Sequence, residues 1–525
     1  MALSPPILLR KPRYLCLLSM LLIASCGGSG TDTGSGGGSS PGTSSTPAEG
    51  TLLQSPGQLV STVTAPSLLV ELNLATNQPL LALSGSPVCD VLIYKIQYET
   101  VGGANEPTTA SAALMIPSGL GSDCTGARPI VMYAHGTTTE RTFDMTDLSN
   151  AEALGTAAIF ASQGYVVVAP NYAGYDTSTL PYHPYLIAEQ QSKDMIDALT
   201  AARKALPIAS ATLTQDNGKL FITGYSQGGY VAMATHRAME AAGMTVTAAA
   251  PMSGPYALAA FADAVFYGAV NGGAPISTTF LLTAYQAAYG NIYASPTDIF
   301  EPQYASGIGS LLPTTLTRAQ LYAQGKLPQY ALFSATAPAP QFADITPPTT
   351  PASLAAVFAV GFGSDNLILN SYRLSYLEDA QQNPDGGFPA LTTGVAAAAP
   401  QLPFRQALQR NDLRNWVPVA PVQLCGGADD PEVFWFNTQL MQGYWTAHAP
   451  ASASIGVLDL ESAVLSMDPY ANLKQEFQVA KALIAADAIA QGATDGGYMA
   501  VAEAYHATLV APFCLAATRS FFANK

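Results

Sequence analysis

Lys219-Leu220-Phe221-Ile222-Thr223-Gly224-Tyr225-Ser226-Gln227-Gly228 is the stretch that decides how this chain is read. An apolar run of strand-forming residues ends in Gly-x-Ser-x-Gly, and helical spacing of apolar residues follows over 228–242. Glycines on either side of the serine tolerate a sharp strand-to-helix turn. Such a turn lifts the hydroxyl above a sheet and places it at a helix N-terminus, where backbone N–H groups are free to receive a developing negative charge. The five-residue pattern has little weight by itself in a chain with 45 glycines. Gly38-Ser39-Ser40-Pro41-Gly42 fits it equally, but no strand precedes it and no helix follows, so Ser40 is read as inert.

Outward from Ser226, short apolar runs alternate with helical spacing. Towards the N-terminus, extended segments at 90–99 and 109–117 flank a Gly-Gly-Ala-Asn turn. They are followed by an apolar run at 129–134, a helix over 151–163, a second apolar run at 165–169 and a helix over 189–205. Beyond the serine lies another strand-like run at 245–250. Buried strands alternating with helices predict an α/β fold, a doubly wound and mostly parallel sheet covered on both faces. The rhythm then stops. Residues 254–416 are rich in Ala, Phe, Tyr, Leu and Pro, with helical stretches but no strand series, and read as a large helical cap inserted into the core. Strand rhythm returns at 417–424 and 454–460, with helices expected at 437–445 and 469–490. The organisation expected is therefore 1–25 signal, 26–50 tether, 51–253 first core part, 254–416 cap and 417–525 second core part.

A serine hydroxyl is a poor nucleophile at neutral pH and needs a base. Of five histidines, His135 belongs to a loop motif, His183 to the loop Pro181-Tyr182-His183-Pro184, and His236 to the helix after the nucleophile, while His448 has no evident role. His506 lies after all of these, just before an expected terminal helix, and the chain order serine, acid, histidine selects it. The acid is expected on a loop after a late strand, and Gly426-Gly427-Ala428-Asp429-Asp430-Pro431-Glu432-Val433 offers two neighbours. Asp430 is favoured because Asp-Pro-x-Val matches the turn into the next helix that such loops show; Asp429 is then solvated or capping. Two oxyanion donors are needed: the N–H of Gln227, directly after the nucleophile, and that of Thr137 in Tyr133-Ala134-His135-Gly136-Thr137, with His135 holding the loop.

Taken together, His135-Gly136, the Ser226 elbow, the Asp430 loop and His506, in that order over 89–525, resemble the α/β-hydrolase superfamily, nearest to its secretory lipase-like esterases. The resemblance implies an α/β-hydrolase core whose cap is inserted after the strand that follows the nucleophile. It also implies carboxylic ester hydrolysis by a Ser226–Asp430–His506 triad through an acyl-enzyme, with no metal and no organic cofactor. The gap between Asp430 and His506, occupied by the helix at 469–490, is longer than the family pattern. Aromatic and aliphatic cap residues Phe261, Phe266, Tyr267, Phe280, Leu281 and Tyr285 suit either an apolar acyl or alcohol portion of a substrate or the cap's own core. An aminopeptidase-like or amide hydrolase would share the triad and add an acidic cap pocket, for which Asp263, Glu301 and Asp344 are the candidates. A surface lipoprotein using the fold for binding alone is the third reading.

The N-terminus reads as an export signal. Arg10, Lys11 and Arg13 precede an apolar run at 14–24 that is too short to span a bilayer. Ile23-Ala24-Ser25-Cys26 resembles a bacterial lipobox, which implies lipidation of Cys26 and, without Asp after it, an outer-membrane or cell-surface location. Gly, Ser, Thr and Pro over 27–50 form a flexible tether. Of six cysteines, Cys16 leaves with the signal and Cys26 takes lipid; the other four suggest two disulfides in an oxidising compartment. Local pairing, Cys89–Cys124 and Cys425–Cys514, is the simplest of three connectivities. A net charge of -15 with only 21 Lys and Arg among 525 residues excludes a nucleic-acid partner. No Cys-x-x-Cys or His-Glu-x-x-His motif supports a metal site. The partners expected are a small-molecule or lipid-like ester and a membrane reached only through the lipid anchor, while oligomeric state stays open.

Overall fold

Strand β4 (Ala127–Ala134) and strand β6 (Gln215–Tyr225) lie side by side and parallel at the centre of the molecule, with Ala134 opposite Gly224. Their buried residues alternate between two apolar layers. Ile130, Met132, Leu220 and Ile222 face one layer, and Val131, Tyr133, Phe221 and Tyr225 face the other. A strand buried on both faces has no polar side to show, which is why these runs read as continuously apolar. The first layer packs on the helices Ala188–Ala209 and Gln227–Ala241, and the second on Ala151–Ile159 and Ala511–Ala523.

The computed structural model describes residues 48–74, 78–209, 214–385, 397 and 399–525. The expected signal, Cys26, the tether up to residue 47 and Ser40 lie outside the described residues. Pro47–Lys525 is one compact unit. Among the described residues its main sheet has nine strands, comprising β1 (Gln58–Val63), β2 (Asp90–Val101), β3 (Pro107–Ser118), β4, β5 (Val166–Pro170), β6, β7 (Ala248–Met252), β10 (Val422–Gly426) and β11 (Ile455–Asp459). They are arranged in the order β1-β2-β3-β5-β4-β6-β7-β10-β11. From β5 to β11 all neighbours are parallel, while β1, β2 and β3 form an antiparallel edge. Chain order reverses around β4 and β6, so their carboxyl ends form the topological switch point, the usual ligand position in such sheets.

The expected mostly parallel α/β sheet and helical insertion are present, with local differences. Strand β10 begins at Val422 rather than 417. Pro418 and Pro421 lack the N–H that a sheet ladder needs, and the Val419 and Ala420 amides bond instead to the Glu240 carboxylate. Strand β1 is an additional edge strand with mostly exposed residues, so no apolar run announces it. The cap contains helices such as Leu258–Phe266, Ala274–Tyr289, Asn370–Gln382 and Pro403–Arg410, plus a two-residue parallel pair, β8 (Phe333–Ser334) with β9 (Phe362–Gly363). Three of those helices meet at a buried Arg405, which pairs with Asp263 at 2.8 Å and Asp379 at 3.1 Å.

Both expected disulfides form. Cys89–Cys124 joins the chain just before β2 to the β3–β4 connection, and Cys425–Cys514 joins β10 to the last helix. The helix expected from 469 runs from Ala471 to Ala490. His506 departs more from expectation: it lies within a helical segment rather than before it. Tyr498–Ala504 is α-helical, Tyr505–Val510 is a π turn, and Ala511–Ala523 resumes the α-helix. A π turn carries one extra residue per turn and has no strong local sequence signature, so periodicity does not reveal it.

Candidate active site

The turn at Ser226 has φ 59° and ψ −122°, a conformation that non-glycine residues rarely adopt. It persists because its neighbours determine it. The Ser226 N–H donates to the carbonyl of Met252 at the end of β7, and the Ser226 carbonyl accepts from Gly229 and Tyr230. A side chain at Gly228 would place its Cβ 1.9 Å from the Ala134 carbonyl oxygen, and one at Gly224 would meet that oxygen at 2.5 Å. Both glycines are therefore required by the close approach of β4 to the elbow. Strained backbone of this kind recurs at functional sites when the surroundings hold it.

Gln227 is the first residue of the helix, so no carbonyl one turn earlier in that helix can take its N–H. Its side chain is anchored away from the turn, with Nε2 donating to His183 Nε2 at 2.7 Å. His183 in turn donates from Nδ1 to the Ala173 carbonyl at 3.0 Å. Burial pushes the His183 imidazole down to about 3, which keeps it neutral and able to accept. Across the elbow, the Gly136 N–H is already taken by Glu152 Oε1 at 2.9 Å, which leaves the next amide, Thr137, as the candidate second donor. The Thr137 hydroxyl is paired with Tyr185 at 2.8 Å. Glu152 also accepts from the Tyr133 hydroxyl at 2.7 Å, and burial raises its carboxyl to about 7 against those hydrogen bonds. His135 is buried between Tyr172 and Phe143, and desolvation lowers its imidazole to about 4. It is a neutral packing element beneath the loop, as its position in the sequence suggested.

The acid loop settles the geometry of the two neighbouring aspartates. Asp430 is buried, accepts the N–H groups of Glu432 and Val433 on Oδ1, and accepts His506 Nδ1 on Oδ2 at 2.7 Å. Asp429 is exposed and pairs with Lys481 at 3.0 Å. With Nδ1 engaged by Asp430, the His506 proton is held there and Nε2 is left as the basic nitrogen. Nε2 is buried and has no hydrogen-bond partner among the described residues. Burial pushes the His506 imidazole down, but the Asp430 charge and hydrogen bond, and then Glu432, outweigh it, so its net shift is upward. Glu432 itself accepts from Gly273, the residue that opens cap helix Ala274–Tyr289, at 3.2 Å. Burial followed by the field of Asp430 works against its ionisation, and its carboxyl is raised.

The remaining histidines are accounted for by local contacts. His236 is buried and bonds to Glu240 at 2.8 Å, and His448 is stacked on Tyr444 at the surface. Of the cap aromatics, Phe266 stacks on Tyr376 at 3.6 Å and belongs to the cap core, as does buried Tyr285. Phe280 stacks on Tyr185 at 5.0 Å, which connects it to the Thr137 loop. Glu152, His183, Tyr185 and Glu432 were not singled out by sequence reasoning, because each acquires its role through partners that are distant along the chain.

Residues 153–267, which contain the elbow but neither Asp430 nor His506, match the model of the prolyl oligopeptidase family. The rice cell wall degrading esterase LipA from Xanthomonas oryzae is 27% identical, with a TM-score of 0.61, over 83% of this chain and 96% of that one. A ligand-bound form of the same esterase is 26% identical over 82% and 95%, also at 0.61. A putative hydrolase from Legionella pneumophila, 18% identical over 89% and 96% with a TM-score of 0.60, shares the fold. No curated protein matches the chain. Sheet order, strained elbow and these likenesses agree: the chain is a serine hydrolase of the α/β-hydrolase superfamily.

Proposed function

We propose that this protein hydrolyses carboxylic esters, with Ser226 as nucleophile, His506 as base and Asp430 as the acid that orients it. The observation that carries this reading is the 2.7 Å Asp430–His506 pair, which leaves Nε2 unbonded in a molecule whose strained elbow presents Ser226. In the proposed reaction Ser226 Oγ attacks the ester carbonyl while its proton passes to His506 Nε2. The imidazolium formed is balanced by Asp430, and the oxyanion is received by the Gln227 and Thr137 N–H groups. Collapse expels the alcohol, which takes the proton from Nε2. Water then repeats the attack on the acyl-enzyme, and release of the acid restores Ser226. Likeness over nearly the full length of a known esterase supports ester over amide substrates.

Ser226→Ala is expected to reduce aryl-ester hydrolysis by roughly 10^6-fold and to abolish labelling by a fluorophosphonate probe. Labelling that persists in the variant would refute the assignment. An aminopeptidase-like reading draws on the family-model match and on Glu432, a carboxylate whose field acts on His506. The acidic residues expected to serve it are otherwise placed. Asp263 is neutralised by Arg405, Glu301 accepts from Asn366, and Asp344 is at the surface. Aminoacyl anilides assayed beside aryl esters separate these two readings, and probe labelling of the unmodified protein excludes a role in binding alone.

A further inference from the structure

Tyr225 ends β6 and immediately precedes Ser226 in the chain. Strand alternation turns its side chain away from the layer of Leu220 and Ile222 and into the layer that contains Tyr505, Leu509, Val510 and Phe513. There it meets the π turn. The phenol ring packs against the His506 imidazole with centroids 4.9 Å apart, and the hydroxyl donates to the main-chain carbonyl of His506. The same oxygen is 3.4 Å from His506 Nδ1, at the edge of the imidazole that Asp430 holds.

This contact joins two parts of the site that the chain keeps 281 positions apart. In a π turn the hydrogen bonds run from i to i+5, a rare local widening of the helix that recurs at functional sites. A side-chain donor on the carbonyl of the very residue that bears the base ties this turn to β6. Burial, and after it the charge of Asp430, hold the Tyr225 phenol far above its ordinary range, so it remains a protonated donor wherever the hydrolase works. Asp430 accepts from Glu432, Val433 and His506, whereas the Tyr225 hydroxyl is directed to the His506 carbonyl, so it does not duplicate the acid.

We propose that Tyr225 is a positioning residue that references His506 to the nucleophile's own strand, so that the peptide unit placing Ser226 also fixes the height and tilt of the base. This inference rests on the reading of Ser226 and His506 as nucleophile and base. A displacement of the base by a fraction of an ångström is enough to cost rate without altering substrate binding.

Tyr225→Phe keeps the ring and removes only the hydroxyl. Steady-state hydrolysis of an aryl ester by the full chain is expected to show kcat lowered about 10-fold with KM unchanged, and fluorophosphonate labelling slowed by the same factor. The downfield proton resonance of His506 Nδ1 is expected to shift or broaden through faster exchange. 4-Aminophenylalanine at 225 restores a donor at the same place and is expected to recover the rate; it also serves if the Phe variant does not fold. Unchanged kcat and an unchanged resonance in folded Tyr225→Phe would overturn the proposal, as would a folded 4-aminophenylalanine protein with no recovery of rate. Failure of the underlying reading looks different: the unmodified protein would then not be labelled at Ser226.

Discussion

At the scale of residues, the proposed base, His506, is influenced by two carboxylates. Asp430 holds the His506 proton directly, while Glu432 acts through its field and is itself tied to the cap by Gly273. The imidazole serves as a base only when Nε2 is unprotonated, so an upward shift of its pKa moves the onset of activity to higher pH. Glu432→Gln removes one source of that upward shift. The acidic limb of kcat/KM is therefore expected to move to lower pH with the alkaline plateau retained. A limb that stays in place would show that the Glu432 carboxylate does not reach the base. The turn at Ser226 and the order in which Asp430 and His506 follow it were legible in the sequence because turn chemistry and chain order are local or ordinal properties. The turn pattern favours Asp430 over Asp429, and the two differ in surroundings: Asp430 is enclosed with three donors, while Asp429 is solvated beside Lys481.

At the scale of elements, the helix bearing His506 is fastened to the acid loop's own strand. Cys425 lies in β10, whose end leads into Asp430, and Cys514 lies eight residues beyond His506, on the far side of the π turn. The cross-link spans 89 residues of sequence, a long loop whose closure in the unfolded chain is entropically costly. Replacing both cysteines by serine is expected to destabilise the fold by about 2–5 kcal/mol. The check is thermal unfolding of the oxidised protein beside the double variant, and equal midpoints would contradict the expectation. Pairing of these cysteines was legible from their neighbourhoods in sequence. The π turn that contains His506 was not, since one extra residue in a turn leaves the apolar spacing nearly unaltered.

At the scale of the whole molecule, cap and core share one unit, and the cap is organised by charge as well as by aromatic packing. Arg405 is enclosed with Asp263 and Asp379, and Tyr376 donates to Asp263 at 2.7 Å while stacking on Phe266. Arg405→Met would leave two buried carboxylates without their cation, a loss of about 3–5 kcal/mol. A lower denaturant midpoint, with ester hydrolysis lost as the cap loosens, is the expected result; an unchanged midpoint would show that the aspartates are relieved by other groups. By itself the sequence determined the alternation of strands and helices, the elbow at Ser226, the insertion that becomes the cap and the order of the chemical groups. Each of these follows from side-chain periodicity and turn chemistry acting over a few residues. Only the tertiary structure decided that Gly136 spends its N–H on Glu152, that Gln227 is held by His183, and that Tyr225 reaches the carbonyl of His506. Those facts depend on burial and on angles between segments far apart in the chain, and hydrogen bonds are too short-ranged and directional for spacing along a sequence to reveal them.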